Sequence, residues 1–335
     1  MGEAWRGISQ ADIFAAHRRI AGAVTRTPLI RAHALSDKVG GEIWFKLESL
    51  QPTGAFKLRG ATNALSQMPA AAKAAGVVCV STGNHGRGLA YAGRVLGIRV
   101  VVCMSSLVPA VKVEGIRKLG AEVHIHGASQ DEAQGEVDRL IAEEGLVEVG
   151  PFDDPAVIAG QGTVGLEILE DMPGLDQVVV PVSGGGLISG VALALKTASP
   201  AIEVHGVTMA EGAAMHESLR AGRVVDVIEK PTLADCLGGG IGPHNRYTFD
   251  IVRHLVDHSW LVDEAAIAGA LSWLYHEERL IAEGGAAVGV ASLLGGHIAA
   301  AGKTTVVVIS GRNIDTDKLT AIVAAKPHLT APPTA

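Results

Sequence analysis

The chain has 335 residues, of which 48% are hydrophobic but only 4% aromatic, and 42 are glycine. This length suits two compact lobes better than one small core, and the many small residues favour helices packed closely on a sheet. The formal net charge of −7 and the lack of any long Lys/Arg block exclude a nucleic-acid or anionic-membrane surface, so we expect a small-molecule partner.

Short β-branched runs alternate with longer helical patterns along the chain, which predicts a parallel α/β architecture. In chain order, the predicted strands are 42–47, 77–80, 99–103, 122–125, 177–180, 203–207 and 304–309. The clearest predicted helices are 84–96, 109–119, 263–278 and 285–294, which have start and stop signals or Ala-rich faces.

Cysteine usage and hydropathy indicate the compartment. Three cysteines (Cys79, Cys103 and Cys236) cannot form a fully paired disulfide framework, and no Cys/His cluster has zinc-site spacing. The first ten residues lack a secretory signal pattern, and the most apolar stretch, 178–195, is interrupted by three glycines. We therefore expect a soluble cytoplasmic protein that binds neither membrane nor nucleic acid, with a frayed tail over 326–335.

Lys57 is the candidate nucleophile. It lies where a turn-rich segment, 49–60, becomes helical. The positive end of a helix lowers the pKa of an amine, which helps the amine act as a nucleophile. Most lysines in such positions are simply solvated, so position alone does not single out Lys57.

A glycine-rich loop, Ser183-Gly-Gly-Gly186, follows the predicted strand 177–180 and precedes a helix that begins at Leu187. Converging backbone N–H groups and a helix N-terminus favour an anion such as phosphate. The loop matches neither a Walker A motif nor G-x-G-x-x-G. A tight strand-to-helix turn explains the same glycines equally well.

Two further polar loops follow predicted strands. Ser81-Thr-Gly-Asn-His-Gly86 comes after strand 77–80, and Ser310-Gly-Arg-Asn-Ile-Asp315 comes after strand 304–309. Open α/β sheets bind ligands at the carboxyl ends of their strands. The first loop suits a carboxylate, although simple helix N-capping is the alternative.

The order of these four segments resembles the fold-type II pyridoxal phosphate (PLP) enzymes, and within them the serine/threonine dehydratase (ammonia-lyase) and serine racemase branch. The match runs from Thr27 to Asp315. The segments starting at Asn245 and Ser310 are most similar to the hydroxyectoine-utilisation, β-hydroxyaspartate and phenylserine dehydratases. The resemblance implies a tryptophan synthase β-like α/β fold, in which two open twisted parallel-sheet lobes hold the cofactor between them. It also implies a homodimer.

The same resemblance implies lobe boundaries and residue roles. The large lobe would comprise 1–50 and 145–325, and the small inserted lobe 51–144. Lys57 would form the Schiff base with PLP and, once displaced by substrate, abstract the Cα proton. The remaining cofactor contacts would be Phe56 on the pyridine ring, Asn84 at the ring 3′-oxygen, Ser310 at the ring nitrogen, and Ser183, Gly184, Gly185, Gly186 and Leu187 around the phosphate. The substrate carboxylate would be held by Ser81, Thr82, Gly83 and His85.

Glu283, Arg312 and the usual metal positions are less clearly placed by the resemblance. Glu283 would face the cofactor, or would only interact with the helix that follows it. Arg312 stands where relatives often have glycine, and would bind a surface carboxylate or an acidic substrate group. Thr208 and Ala214 occupy the positions where many relatives bind a divalent cation through carboxylates, so we expect no metal site there.

The expected reaction is β-elimination from a small β-hydroxy-α-amino acid of the threonine, serine, hydroxyaspartate or phenylserine type, which yields a 2-oxo acid and ammonia. A serine at the ring nitrogen donates a hydrogen bond but cannot stabilise a pyridinium as a carboxylate would, and this favours prompt elimination. Three alternatives remain at this point. The first is a racemase, in which Thr82 would be the second acid/base; the others are a β-replacement synthase and a non-enzymatic phosphate-binding regulator.

Overall fold

The computed structural model describes residues 5, 7–81, 83–108 and 110–329. Its strands are numbered in chain order and form two sheets. The larger sheet has the order β1-β2-β10-β7-β8-β9, with strands β1 (Leu29–Arg31), β2 (Glu42–Lys46), β7 (Gln177–Pro181), β8 (Glu203–Met209), β9 (His258–Val262) and β10 (Thr304–Val308). The smaller sheet has the order β5-β4-β3-β6, with strands β3 (Val77–Val80), β4 (Val100–Met104), β5 (Glu122–Ile125) and β6 (Val147–Glu148).

Helices connect these strands. They are α1 (Gln10–Ile20), α2 (His33–Val39), α3 (Lys57–Gln67), α4 (Ala70–Ala75), α5 (Asn84–Leu96), α6 (Ala110–Arg117), α7 (Gln130–Glu144), α8 (Pro155–Asp171), α9 (Gly186–Ala198), α10 (Ala214–Ala221), α11 (Thr248–Leu255), α12 (Glu264–His276), α13 (Gly284–Leu294) and α14 (Thr316–Ala325). Within the described residues, short 3-10 helices cover Glu48–Leu50, Asp235–Leu237 and Pro327–Leu329.

The parallel α/β prediction is confirmed. Every strand pairing is parallel except that between β1 and β2. The central strands β4 and β7 are buried at every residue, because helices cover both faces of a parallel sheet. In the sequence, such strands appear as continuous apolar runs, and these runs made β4 and β7 predictable.

The sequence missed β1, β6 and β9. β1 and β6 are only three and two residues long, too short to produce a pattern. β9 begins with an exposed histidine at the edge of the larger sheet, and only its last residue is fully buried. An edge strand pairs with only one neighbouring strand and is partly exposed, so its sequence need not be a continuous apolar run.

Glycines bring three helices unusually close together. A Cβ on Gly160 of α8 would lie 2.7 Å from the Cα of Gly60 on α3, and a Cβ on Gly190 of α9 would lie 2.4 Å from the backbone nitrogen of Gly162 on α8. The close packing of small-residue helices expected from composition is therefore present. Because α8 packs against both α3 and α9, this close packing also fixes the positions of Lys57 and of the glycine-rich loop, where those two helices begin.

The strands of the smaller sheet all lie between residues 77 and 148. β6 falls just beyond residue 144, where the sequence placed the end of the small lobe, and the boundaries of the two lobes stay a prediction. No helix among the described residues is long and apolar enough to cross a membrane.

The predicted frayed tail does not begin at residue 326. Pro327–Leu329 forms a 3-10 helix against α12, where the hydroxyl of Ser272 and Nδ1 of His328 lie 2.7 Å apart. The histidine ring also lies edge-on to Trp273, at 6.3 Å between ring centroids. Aromatic and hydrogen-bonding contacts therefore hold the first part of this segment, whereas 330–335 lies outside the described residues.

Candidate active site

The three polar loops predicted from the sequence meet at the carboxyl ends of strands β3, β7 and β10, around a cavity of about 240 Å³. The predicted residues that line this cavity are Phe56, Lys57, Ser81, Gly83, Asn84, His85, Ser183, Gly184, Gly185, Gly186, Leu187, Glu283 and Ser310. Thr82 lies outside the described residues. The tertiary structure thus gathers segments that are more than 250 residues apart in sequence into one cleft.

Lys57 is the first residue of α3 and projects into this cleft. Its Nζ donates a hydrogen bond to the carbonyl oxygen of Pro151 at 2.6 Å and lies 5.3 Å from the centroid of the Phe56 ring. Protein surrounds the amine on most sides, and this desolvation lowers the pKa of Lys57 to about 8. A larger fraction of the amine is therefore neutral, and nucleophilic, near neutral pH than in a free lysine side chain.

The glycine-rich loop is both a tight strand-to-helix turn and a candidate anion site, the two interpretations that the sequence left open. A Cβ on Gly184 would lie 2.3 Å from the ring of Phe152, and Gly185 has a φ of +89°, so the loop is a tight turn that requires glycine. Helix α9 begins at Gly186, and the first-turn amides of a helix have no intrahelical acceptor. The same turn therefore offers free N–H donors to an anion in the cleft.

The side chains of Ser81 and His85 both form hydrogen bonds with main-chain groups. The Oγ of Ser81 accepts hydrogen bonds from the backbone nitrogens of Gly86 and Gly83 at 3.0 and 3.3 Å, so it caps the start of α5. Nε2 of His85 lies 2.7 Å from the carbonyl oxygen of Val149, and burial together with the nearby Lys57 lowers the pKa of His85 to about 3. His85 is thus neutral at physiological pH and brings no positive charge to the cleft.

Glu283 faces the cleft and does not cap its helix. It stands at the N-cap position of α13, where its side chain makes no capping hydrogen bond. Its Oε1 instead accepts a hydrogen bond from Nδ2 of Asn84 at 2.7 Å. Desolvation, opposed in part by this hydrogen bond, raises the pKa of Glu283 to about 7. Gly311 makes room for the carboxyl group, since a Cβ there would lie 1.9 Å from Oε1.

A backbone hydrogen bond links Ser310 to the segment that carries Lys57. Ser310 is buried, and its carbonyl oxygen accepts a hydrogen bond from the backbone nitrogen of Phe56 at 3.0 Å. The residue before Lys57 is therefore hydrogen-bonded to the loop that follows β10. Arg312, two residues further on, is exposed and is not part of the cavity lining.

Sequence reasoning missed several residues of the site. Phe152 supports the glycine-rich loop, and Cys236 lines the cavity beside Glu283, but neither carries a motif that marks it. Asn313 lies within a loop that the sequence did single out, and it hydrogen-bonds Asn84. Its role depends on a residue 229 positions away, which no local pattern reveals.

The donor set fits PLP. Free amides at the start of α9 suit its phosphate, the Phe56 ring suits its pyridine ring, and the lowered-pKa amine of Lys57 suits its aldehyde. All three lie on the same cavity.

Comparison with known proteins gives an independent result. Residues 20–311 match the family model described as pyridoxal-phosphate dependent enzyme. The chain is 52% identical over 308 residues to the "Putative threonine dehydratase" of Sinorhizobium fredii, covering 92% of this chain and 93% of that protein. It is 43% identical over 316 residues to the L-threonine ammonia-lyase of Thermotoga maritima, covering 94% and 78%.

Among solved structures, that of maize serine racemase superposes with a TM-score of 0.89 at 33% identity, covering 96% of this chain and 98% of that one. The family model extends over the cleft and over both sheets, and each relative aligns with more than 90% of the chain. The chain therefore belongs to the family of pyridoxal-phosphate dependent enzymes.

Proposed function

We propose that this protein is a PLP-dependent ammonia-lyase that removes water from a β-hydroxy-α-amino acid of the threonine type and releases a 2-oxo acid and ammonia. The observation that carries the proposal is the presence of the Lys57 amine and the free amides of α9 on one cavity. The threonine type follows from the two relatives named threonine dehydratase and L-threonine ammonia-lyase.

In this proposal, Lys57 holds the cofactor covalently through Nζ, and the amides from Gly184 to Leu187 bind its phosphate. Phe56 packs on the ring, and the Ser310 hydroxyl donates to the ring nitrogen. Asn84 donates to the ring oxygen. When bound, PLP draws electrons away from the Cα of the substrate and so acidifies the Cα proton.

Lys57 then acts as the base and returns a proton. Its neutral Nζ, favoured by a pKa of about 8, takes the Cα proton and becomes an ammonium group. That ammonium can protonate the departing β-hydroxide, so one side chain serves both half-steps. The Ser310 hydroxyl would contribute a hydrogen bond without a charge at the ring nitrogen, and this would favour elimination.

Racemisation is the second candidate, because the maize relative is named a serine racemase. It shares the removal of the Cα proton but needs a second acid on the opposite face. Thr82, which the resemblance suggests for that role, lies outside the described residues. The two relatives named threonine dehydratase and L-threonine ammonia-lyase favour elimination as the main reaction.

A substrate panel tests the proposal. Protein purified with PLP and given a series of β-hydroxy-α-amino acids should form 2-oxo acid and ammonia in equal amounts, with no cysteine formed from O-acetylserine and sulfide. The Lys57→Ala variant should lose both the visible absorbance of the bound cofactor and the turnover. A wild type that stays colourless with added PLP, or that inverts serine without releasing ammonia, contradicts the proposal.

We also propose that the protein works as a homodimer in the cytoplasm. Support for the compartment is that Cys79, Cys103 and Cys236 are all free thiols, as is usual in a reducing environment. The dimer is an expectation from the family resemblance. Light scattering on the purified protein tests it, and a mass equal to one chain would contradict it.

A further inference from the structure

Three hydrogen bonds run in line from the loop before α3 to the carboxyl group of Glu283. Nδ2 of Asn313 donates to the carbonyl oxygen of Thr53 at 2.9 Å and to Oδ1 of Asn84 at 2.6 Å. Nδ2 of Asn84 in turn donates to Oε1 of Glu283 at 2.7 Å. Asn84 and Glu283 line the cofactor cavity, whereas Asn313 lies behind Asn84, outside the lining of that cavity.

The first acceptor determines which group donates and which accepts in all three hydrogen bonds. A main-chain carbonyl can only accept, so Asn313 must turn its NH₂ group, and not its oxygen, toward Thr53. The same nitrogen faces Asn84, which must therefore present its own oxygen. The NH₂ group of Asn84 is left on the cleft side, where Glu283 takes one of its two hydrogens.

Asn313 is itself held firmly in place. Gly54 packs directly on its amide, since a Cβ at Gly54 would lie 2.6 Å from Oδ1 of Asn313. Gly54 has a φ of +78°, and its carbonyl oxygen accepts a hydrogen bond from the backbone nitrogen of Arg312 at 2.9 Å. The amide of Asn313 therefore has little freedom to rotate.

We infer that Asn313 is a positioning residue that fixes the amide of Asn84 so that an N–H group, and not the oxygen, faces the ring oxygen of PLP. The inference rests on the proposed function, which places Asn84 at that oxygen. An N–H donor stabilises negative charge on the ring oxygen, so the oxygen attracts the proton on the neighbouring Schiff-base nitrogen less strongly. The pKa of that nitrogen, which joins Lys57 to the cofactor, is therefore lowered. With the amide reversed, two oxygens would face each other and that pKa would rise.

The experiment follows the visible absorbance of the PLP-loaded protein as a function of pH. Asn313→Asp replaces both N–H donors with acceptors at nearly unchanged shape and adds a negative charge, so it should turn the amide of Asn84 around. We expect the midpoint of the absorbance change to rise by about one pH unit, as for loss of a hydrogen bond to a charged group. Asn313→Ala removes the donors without adding repulsion, so it should shift the midpoint less, in the same direction.

Asn63→Asp is the matched control. Nδ2 of Asn63 also donates to a main-chain carbonyl, that of Ala156 at 2.6 Å, but Asn63 lies outside the cofactor cavity. Oδ1 of Asn63 accepts a hydrogen bond from Arg19, a contact that a carboxylate keeps, and the replacement should leave the absorbance midpoint unchanged. Thermal unfolding of each variant separates a loss of fold from a change in the electronics of the cofactor.

A double-mutant cycle shows whether Asn313 acts through Asn84. Asn84→Ala should raise the midpoint by itself, and adding the uncharged Asn313→Ala should cause no further shift. Additive shifts, or an unchanged midpoint in either Asn313→Asp or Asn84→Ala, would overturn the inference. These outcomes leave the dehydratase proposal standing, because that proposal is judged by the substrate panel and by the colour of the wild type.

Discussion

At Lys57, burial acts on a single amine at the start of a helix. Desolvation disfavours the charged form, and the pKa of Lys57 falls from an ordinary lysine value to about 8. Only the neutral amine attacks an aldehyde. The reactive fraction of the folded protein therefore grows as pH rises through about 8, well below the pH at which a free lysine side chain would reach the same fraction.

This predicts the pH dependence of cofactor capture. The rate at which PLP adds to the cofactor-free protein should rise between about pH 6 and pH 8 and level off above it, whereas the rate for a free lysine derivative should keep rising to about pH 10.4. Stopped-flow absorbance measures both reactions under the same conditions. A midpoint for the protein close to that of the free amine would show that the cleft does not desolvate Lys57.

At the scale of elements, contact between helices α8 and α9 depends on glycine. A Cβ on Gly190 would lie 2.4 Å from both the backbone nitrogen of Gly162 and the carbonyl oxygen of Ile158. Neither atom can move independently of α8. The backbones of the two helices are thus in direct contact, and α9 carries the glycine-rich loop of the cleft at its start.

We expect Gly190→Ala to destabilise the protein by about 1–3 kcal/mol, because the helices must separate to admit the methyl group. Gly269 on α12 is the matched control, because a Cβ there has no heavy atom within 4 Å. Gly269→Ala should stabilise the protein by about 0.5–1 kcal/mol through its better helix propensity. Thermal unfolding of both variants measures the difference, and equal midpoints would contradict the glycine contact.

At the scale of the whole molecule, a buried ionic cluster joins elements that are distant in sequence. Arg59 of α3 bonds Glu48 at 2.8 Å and Glu167 of α8 at 2.6 Å, and Lys46 of β2 bonds Glu167 at 2.6 Å. All four side chains are at most 2% exposed. The cluster has two cations and two carboxylates, so each charge is compensated only while the others remain.

Arg59→Met should therefore cost about 3–5 kcal/mol, the range for removing one partner from a buried pair. Arg99 serves as the control because its bonds to Glu122 and Glu144 are formed between side chains that are 38–50% exposed. Arg99→Met should cost only about 0–1 kcal/mol. Chemical unfolding of the two variants compares these values, and a similar small loss in both would mean that the buried cluster is not needed for stability.

Local patterns were enough to predict much of this molecule. Strands such as β4 and β7 are buried on both faces and so carry unbroken apolar runs, which the sequence displays directly. Lys57 and the three loops stood out because turn residues and glycines follow those runs at the carboxyl ends of strands. The PLP family followed from their order along the chain.

The tertiary structure decided everything that depends on partners far away in sequence. Glu283 bonds Asn84, 199 positions distant, and so faces the cleft where the sequence also allowed a role at its helix start. The neutral state of His85 comes from burial and from the nearby Lys57, and the orientation of the Asn84 amide comes from Asn313. The sequence alone determined which side chains are available for chemistry. Packing determined their charge and direction, because desolvation and hydrogen-bond geometry exist only once the chain has folded.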